Sequence, residues 1–206
     1  MSLKNKRVLI TAGPTWVPID DVRVISNIAT GTTGIILAEQ LARRGAKVIL
    51  FLGPVPFCCV SKKIKVINFR FFDELRKGLI SKLNTAKFDI IIHSAAVSDF
   101  RPATKPRGKI SSSSGCRLRL VPLPKIIRDI RRLSPDALLV MFKFEPGSGD
   151  AALIRKAVSA AKVARADLVV ANRLKPYRAF IIDNHGRRIG AGSKVSLVDK
   201  LVKVLA

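Results

Sequence analysis

The sequence TGTTGIILAEQLARRGAKVILFL, from Thr30 to Leu52, decides the fold class because a helix pattern is followed directly by a strand pattern. Apolar residues recur every three or four positions between residues 34 and 44, which predicts an amphipathic helix. Gly45 stands just past this helix, where a C-terminus favours glycine. The continuous apolar run at residues 47–52 then predicts a buried strand.

The same alternation of strand and helix patterns continues along the chain. Strand patterns lie at residues 7–11, 47–52, 64–69, 88–93, 137–142 and 168–171, and helix patterns at 34–44, 72–84, 125–133, 150–165 and 193–205. Such alternation indicates a parallel sheet with crossover helices. Asn184-His185-Gly186 predicts a late hairpin turn. We therefore predict one α/β domain over residues 1–206, with three layers, a mainly parallel sheet and small antiparallel hairpin additions.

Two segments interrupt this regular pattern. Residues 14–31 form a long connection between the first strand and the first helix. Residues 98–115 are rich in Pro, Gly, Ser, Lys and Arg. Because that composition offers little apolar surface to anchor the chain, we expect a mobile loop there.

Composition excludes several classes of protein. Hydrophobic residues make up 48% of the 206 residues, which is too many for a disordered chain. No apolar run approaches the roughly 20 residues that a membrane helix needs. The basic N-terminus precedes a short apolar run that ends at Thr11-Ala12-Gly13-Pro14, so it does not match a signal peptide. We expect a cytoplasmic protein without a membrane partner.

The excess of positive charge has three possible meanings. Lys and Arg number 38 against 14 Asp and Glu, a formal net charge of +24. This imbalance is typical of nucleic-acid binding, of attraction to small polyanions, or of a generally basic proteome. The charges are scattered, and one Trp and one Tyr provide no stacking platform for bases. We favour the third meaning and do not expect nucleic acid as a partner.

A glycine-rich segment opens the first helix. Gly31, Thr32 and Gly34 place backbone amides at the helix N-terminus, where they can bind phosphate. A dinucleotide-binding fold has its glycines immediately after the first strand, whereas here a long loop intervenes. The single tyrosine, Tyr177, lies late in the chain. This arrangement favours phosphate binding over hydride transfer.

Three further segments carry a resemblance to a known family. They read VPIDDVRVISN at residues 17–27, HSAAVSDFRP at 93–102 and GKISS at 108–112. With the glycine-rich helix start, their order and spacing resemble the phosphopantothenoylcysteine synthetase family, which is also the C-terminal domain of the DNA/pantothenate metabolism flavoproteins. The resemblance covers essentially the whole chain. Lys109-Ile110-Ser111-Ser112 departs from the lysine-isoleucine-lysine-lysine piece of many bifunctional members and is similar to stand-alone members.

The resemblance implies a Rossmann-like fold and an amide-forming ligase of coenzyme A biosynthesis. In such an enzyme, the carboxylate of 4′-phosphopantothenate attacks the α-phosphate of ATP or CTP. Pyrophosphate leaves and an acyl-nucleotidylate forms, which the amine of L-cysteine then attacks. The family also implies Mg²⁺ on the triphosphate and a homodimer. The choice between ATP and CTP stays open.

Individual residues take roles only through this resemblance. Asn27 is expected to orient the acyl phosphate, Lys109 to stabilise charge during acyl transfer, and Arg23 to bind the substrate phosphate. Asp99 is expected to border the nucleotide and its metal. His93 ends a strand and is expected to be structural. The nucleotide-binding set implied by the family comprises Gly13, Thr15, Gly31, Thr32, Gly34, Ala95, Ala96, Asp99, Phe142 and Lys143.

Two other functions remain open on the sequence. An NAD(P)- or flavin-dependent oxidoreductase would use a similar fold, and a bound cofactor would identify it. A basic nucleic-acid-binding module would account for the charge, and binding that disappears at physiological salt would show nonspecific attraction only.

Overall fold

The computed structural model describes residues 2–56, 60–113 and 115–206, and within them it has twelve strands and five helices. The strands are β1 (Arg7–Ala12), β2 (Trp16–Pro18), β3 (Val24–Ser26), β4 (Lys47–Leu52), β5 (Lys65–Asn68), β6 (Ile90–His93), β7 (Phe100–Pro102), β8 (Leu120–Pro122), β9 (Leu138–Phe144), β10 (Leu168–Leu174), β11 (Tyr177–Asp183) and β12 (Arg188–Ala191). The helices are α1 (Thr32–Arg43), α2 (Phe72–Thr85), α3 (Ile126–Leu133), α4 (Asp150–Ala164) and α5 (Lys194–Leu205). None of the helices so described is both long and apolar enough to cross a membrane.

Eight strands form the main sheet, in the order β12-β11-β10-β9-β6-β1-β4-β5. The six strands from β10 to β5 pair in parallel, and β11 and β12 extend the sheet antiparallel as a hairpin. Counted along the chain, the six parallel strands stand in the order 3-2-1-4-5-6, which is the doubly wound order of dinucleotide-binding folds. The predicted Rossmann-like α/β fold is therefore confirmed. Its strand order reverses between β1 and β6.

Alternate residues of β1 pack into two different cores. Ile10 faces the side of the sheet that α1 and α5 cover, where Leu37, Leu41 and Leu201 are fully buried. Leu9 faces the opposite side, which α2, α3 and α4 cover. A strand that is apolar on both faces must be covered on both sides, which gives the three layers.

Two short antiparallel hairpins stand outside the main sheet, and they lie in segments whose sequence indicated loops. The segment expected to be a loop at residues 14–31 contains the β2–β3 hairpin. The segment expected to be mobile begins with β7, which pairs antiparallel with β8. We call residues 100–122, without residue 114, the arm.

Polar contacts to one buried carboxylate anchor the arm. Asp20 is 2% exposed and accepts hydrogen bonds from the N–H of Ile110 (3.0 Å) and from the Arg23 guanidinium (2.6 and 2.9 Å). Burial by itself would raise the pKa of this carboxyl. Hydrogen bonds from Arg23, Ile110 and Val22 outweigh that effect and hold the pKa well below its usual range. The arm is anchored by charge and hydrogen bonds, which hydrophobic patterns do not reveal.

We expect Asp20→Asn to loosen the arm while leaving the main sheet intact. The neutral amide cannot match a carboxylate that receives several hydrogen bonds at once. The backbone amides of Val22, Arg23 and Ile110 should exchange with deuterium about tenfold faster or more, as measured by mass spectrometry. The exposed Asp136→Asn variant is the control. Unchanged exchange at Ile110 would show that Asp20 does not hold the arm.

Candidate functional site

A cleft of about 1450 Å³ lies at the carboxyl edge of the sheet, over the point where the strand order reverses. Its wall contains the residues that follow β1 and β6, the start of α1, the ends of β9 and β10, and parts of α3 and α4. Open parallel sheets bind ligands at this place because the loops after the two central strands diverge there. The cleft is therefore the candidate active site.

Hydrogen bonds join the chain after β1 to the chain after β6. The N–H of Ala96 donates to the carbonyl of Gly13 (2.9 Å), and the N–H of Thr15 donates to the carbonyl of Ala96 (3.2 Å). Thr15 itself is fully buried. Its hydroxyl accepts a hydrogen bond from the N–H of Ser98 (2.9 Å) and donates one to the Oγ of Ser98 (3.1 Å). Thr15 thus lies beneath the cleft wall and braces it, whereas Gly13, Ala95 and Ala96 line the cleft.

The start of α1 lies directly against the end of β1. Gly31 has a positive φ of 69°, and a Cβ there would stand 3.2 Å from the backbone nitrogen of Gly13. A Cβ on Gly34 would come within 2.5 Å of the Cβ of Ala12 and 2.7 Å of Ser94 Oγ. The glycines therefore return to the first strand although the loop separates them in sequence. With no acidic residue in its first turn, this helix start suits an anion.

Asn27 holds the segment after β6. Its side-chain amide donates to the carbonyl of Ala96 (3.0 Å) and to the carbonyl of Val97 (3.2 Å). Its NH₂ group is therefore engaged with the backbone. The side chain lines the cleft and fixes the position of two residues that form its wall.

Two carboxylates line the cleft, and each is bound by lysine. Asp99 contacts the Lys125 ammonium at 2.6 Å. Glu145 contacts Lys156 at 2.7 Å and Lys143 at 2.9 Å, and these bonds lower the pKa of its carboxyl. Groups of three or more acidic, His or Cys side chains that could hold a metal are absent from the described ranges. The expected place of Asp99 beside a metal therefore stays a prediction, to which its single carboxylate would contribute oxygen ligands.

The chain on its own does not bring every expected residue to the cleft. Among the expected residues, Asn27, Gly13, Gly31, Thr32, Gly34, Ala95, Ala96, Asp99, Phe142 and Lys143 line it. Arg23 instead binds Asp20 and donates to the carbonyl of Ile110 (2.7 Å). Lys109 is exposed on the arm. The expected roles of Arg23 and Lys109 in binding and acyl transfer stay predictions.

The cleft also contains polar residues that the sequence did not identify as site residues. Asn172 near the end of β10 lines it, with Arg128 on α3, Arg155 on α4 and Lys194 on α5. Asn172 had a recognisable signal, because it is a polar residue at the carboxyl end of a buried strand. The three cations lie on helices and resemble ordinary solvated residues in sequence. Only the tertiary fold gathers them around one cleft.

The chain is similar in sequence to known proteins. Residues 3–202 match the family described as the C-terminal domain of DNA/pantothenate metabolism flavoproteins. The coenzyme A biosynthesis bifunctional protein CoaBC of Thermococcus kodakarensis is 40% identical over 178 residues, which are 85% of this chain and 43% of that protein. The chain spans about half the length of the curated relatives it matches.

Two solved structures share the fold at low sequence identity. The DNA/pantothenate metabolism flavoprotein of Streptococcus pneumoniae superposes with a TM-score of 0.88 at 24% identity, covering 97% of this chain and 98% of that one. A Cab2 mutant in complex with phosphopantothenate-cysteine gives a TM-score of 0.76 at 21% identity, covering 97% and 88%.

We expect Gly31→Val to remove the binding of nucleoside triphosphates. A β-branched side chain is strained at positive φ and would block close approach of phosphates to the helix start. Titration calorimetry with ATP and with CTP measures the loss. The control is Gly186→Val, because Gly186 also has a positive φ (83°) but stands in an open turn away from the cleft. If both variants bind like the parent chain, the helix start is not the phosphate site.

Proposed function

We propose that this chain, which belongs to the family of the C-terminal domain of DNA/pantothenate metabolism flavoproteins, is a phosphopantothenate–cysteine ligase. One observation carries the proposal. Asn27, from the segment between the first strand and the glycines, is hydrogen-bonded to Ala96 and Val97 after β6 beside the start of α1. Segments that are far apart in sequence thus meet at a single cleft. The names of the relatives, which refer to coenzyme A biosynthesis and to phosphopantothenate-cysteine, supply the substrate class.

The first step activates the acid. A carboxylate is a poor electrophile, so its oxygen attacks the α-phosphate of ATP or CTP and displaces pyrophosphate. The N–H groups at the start of α1 hold the phosphates, and the cleft cations Arg128, Arg155 and Lys194 add positive charge. In the described residues, none of these three cations lies within 4.0 Å of a carboxylate oxygen. Their charge is therefore directed at the ligand.

The second step forms the amide. The amine of L-cysteine attacks the acyl carbon of the acyl-nucleotidylate, and the nucleoside monophosphate leaves. The chain contributes position and charge rather than a covalent intermediate, and Asn27 keeps the wall of the cleft in place for both steps. Mg²⁺ bound to the triphosphate would neutralise the departing pyrophosphate, with Asp99 as its single protein ligand.

The arms of two chains would meet in a homodimer. The arm and the β2–β3 hairpin together expose Val22, Val24, Phe100, Leu118 and Leu120. Exposed apolar side chains concentrated on projecting hairpins are typical of an interaction surface. A twofold dimer would cover this surface and bring cations of one arm to the cleft of the other chain. That arrangement would give Lys109 and Arg23 their expected roles.

The proposed reaction is tested by incubating the chain with 4′-phosphopantothenate, L-cysteine, Mg²⁺ and either ATP or CTP. We expect pyrophosphate release and phosphopantothenoylcysteine, with one nucleotide preferred. Omission of the acid should abolish pyrophosphate release. Parallel incubations with NAD, NADP and flavin test the oxidoreductase alternative. Absence of product with every nucleoside triphosphate would refute the ligase.

Asn27→Asp should lower the ligase rate at least about a hundredfold without unfolding the chain. The substitution places a carboxylate oxygen opposite the carbonyls of Ala96 and Val97, so two hydrogen bonds become repulsive contacts. Steady-state kinetics and circular dichroism measure the two effects. Near-normal turnover would remove Asn27 from the mechanism.

Lys109→Gln should slow the second step more than the first, so that the acyl-nucleotidylate accumulates and is detected by mass spectrometry after acid quench.

Mixing this variant with Asn27→Asp tests whether Lys109 acts across the dimer. Random exchange of subunits should restore about one quarter of the parental activity, because half of the dimers then have one intact site. If subunits exchange but no activity returns, Lys109 and Asn27 of one chain contribute to the same active site. Full activity of Lys109→Gln alone would make it an ordinary arm lysine.

A further inference from the structure

His93 is the last residue of β6 and lines the cleft where the strand order reverses. Its Nδ1 lies 2.8 Å from the hydroxyl of Thr11, which is fully buried on the neighbouring strand. The structural role expected from the sequence accounts for this nitrogen alone. Within the described ranges, Nε2 makes no hydrogen bond to the protein, and the residue is partly open to the cleft.

The hydrogen bonds of Thr11 determine which ring nitrogen has the proton. The Thr11 hydroxyl oxygen already accepts from the N–H of Ala95 (3.2 Å). Its own hydrogen has one acceptor among the described residues, and that acceptor is Nδ1 of His93. If Nδ1 carried the proton instead, a buried hydroxyl hydrogen would be left without a partner, which is costly. The ring therefore accepts at Nδ1 and presents Nε2–H to the cleft.

The ring stays neutral at physiological pH. Burial lowers the pKa of His93 to about 4, because the charged imidazolium would lose its hydration in this position. Although an edge of the residue remains open, carboxylates are absent from the hydrogen bonds that the described residues make with the ring. His93 thus offers one neutral hydrogen-bond donor rather than a charge.

The part of the cleft around His93 differs from the phosphate site. Side chains alternate along a strand, so His93 shares the sheet face of Ile91, and Met141 lies on the same side. On this side the cleft wall includes the apolar Ile127, Met141 and Ala160, together with Arg128 on α3 and Arg155 on α4. The helix start of α1 covers the opposite face. Apolar contacts, one neutral donor and two nearby cations together suit the carbon chain and the phosphate of a phosphorylated acid.

We propose that His93 is a specificity-determining residue for the acid, and that its Nε2–H donates to an oxygen of the acyl part of 4′-phosphopantothenate. This inference rests on the proposed ligase function. A fixed donor in the wall of a cleft selects ligands that carry an acceptor at the matching place, because other ligands cover the donor and leave it unpaired. Thr11 acts through His93 as a positioning residue, since its hydroxyl fixes the ring tautomer.

Kinetics of matched variants test the role. His93→Leu retains an apolar side chain of similar size and removes the donor, so KM for 4′-phosphopantothenate should rise about tenfold while KM for the nucleotide stays unchanged. His93→Gln supplies an amide donor and should recover part of the loss. Thr11→Val should act in the same direction as His93→Leu, whereas Thr11→Ser, which retains the hydroxyl, should behave like the parent chain. Circular dichroism confirms that each variant is folded.

The tautomer is measured independently by long-range ¹H–¹⁵N correlation spectra of labelled chain, with His93→Gln used to assign the signal. We expect a proton on Nε2 in the absence of ligand, and a change in the chemical shift of that nitrogen when 4′-phosphopantothenate is added. A proton on Nδ1, equal KM in parent and His93→Leu, or a rise confined to KM for the nucleotide would overturn it. A parent chain without any ligase activity would refute the proposed function itself. An active parent chain whose KM for 4′-phosphopantothenate is unchanged by His93→Leu would refute only the role of His93.

Discussion

The hydrogen bonds between the chain after β1 and the chain after β6 are the contacts on which the rest of the site depends. The connections that follow β1 and β6 diverge at the strand-order reversal, yet Gly13 and Thr15 remain bonded to Ala96 beyond the ends of both strands. This extension closes the bottom of the cleft. Asn27 then attaches the β2–β3 hairpin to it, and Gly34 allows α1 to approach Ala12 without a Cβ in between. The start of α1 and the part of the cleft around His93 are positioned by the same junction.

Positive charge exceeds negative charge along the wall of the cleft. Both carboxylates of the wall are bound by lysines, and in the described part of the chain Arg128, Arg155 and Lys194 line the cleft without an ion pair. Such a site concentrates polyanions and strengthens their contacts with backbone amides. Part of the +24 net charge is therefore gathered at this cleft, where it suits the proposed triphosphate and phosphorylated acid.

Hydrophobic periodicity predicted the sheet strands and helices to within a few residues, and the glycine pattern predicted the helix start. Periodicity did not reveal how the arm is anchored, because the buried carboxylate of Asp20 accepts a hydrogen bond from the N–H of Ile110, 90 positions away. Family resemblance placed Asn27 in the cleft, whereas within one chain it did not bring Lys109 there. The bond of His93 to Thr11 fits the structural role expected from the sequence, whereas the open side of its ring is visible only in the structure. These features depend on tertiary contacts between distant segments, which local patterns do not encode.

The central claim is that the reaction in this cleft passes through an acyl-nucleotidylate. Transfer of a labelled oxygen from the acid to the nucleotide tests this claim most directly. The chain is incubated with L-cysteine, the preferred nucleotide and 4′-phosphopantothenate labelled with ¹⁸O in both carboxylate oxygens, and the products are weighed by mass spectrometry. Attack of the carboxylate on the α-phosphate predicts one ¹⁸O in the nucleoside monophosphate, one in the new amide, and none in pyrophosphate. Labelled inorganic phosphate, or an unlabelled nucleoside monophosphate, would contradict the account.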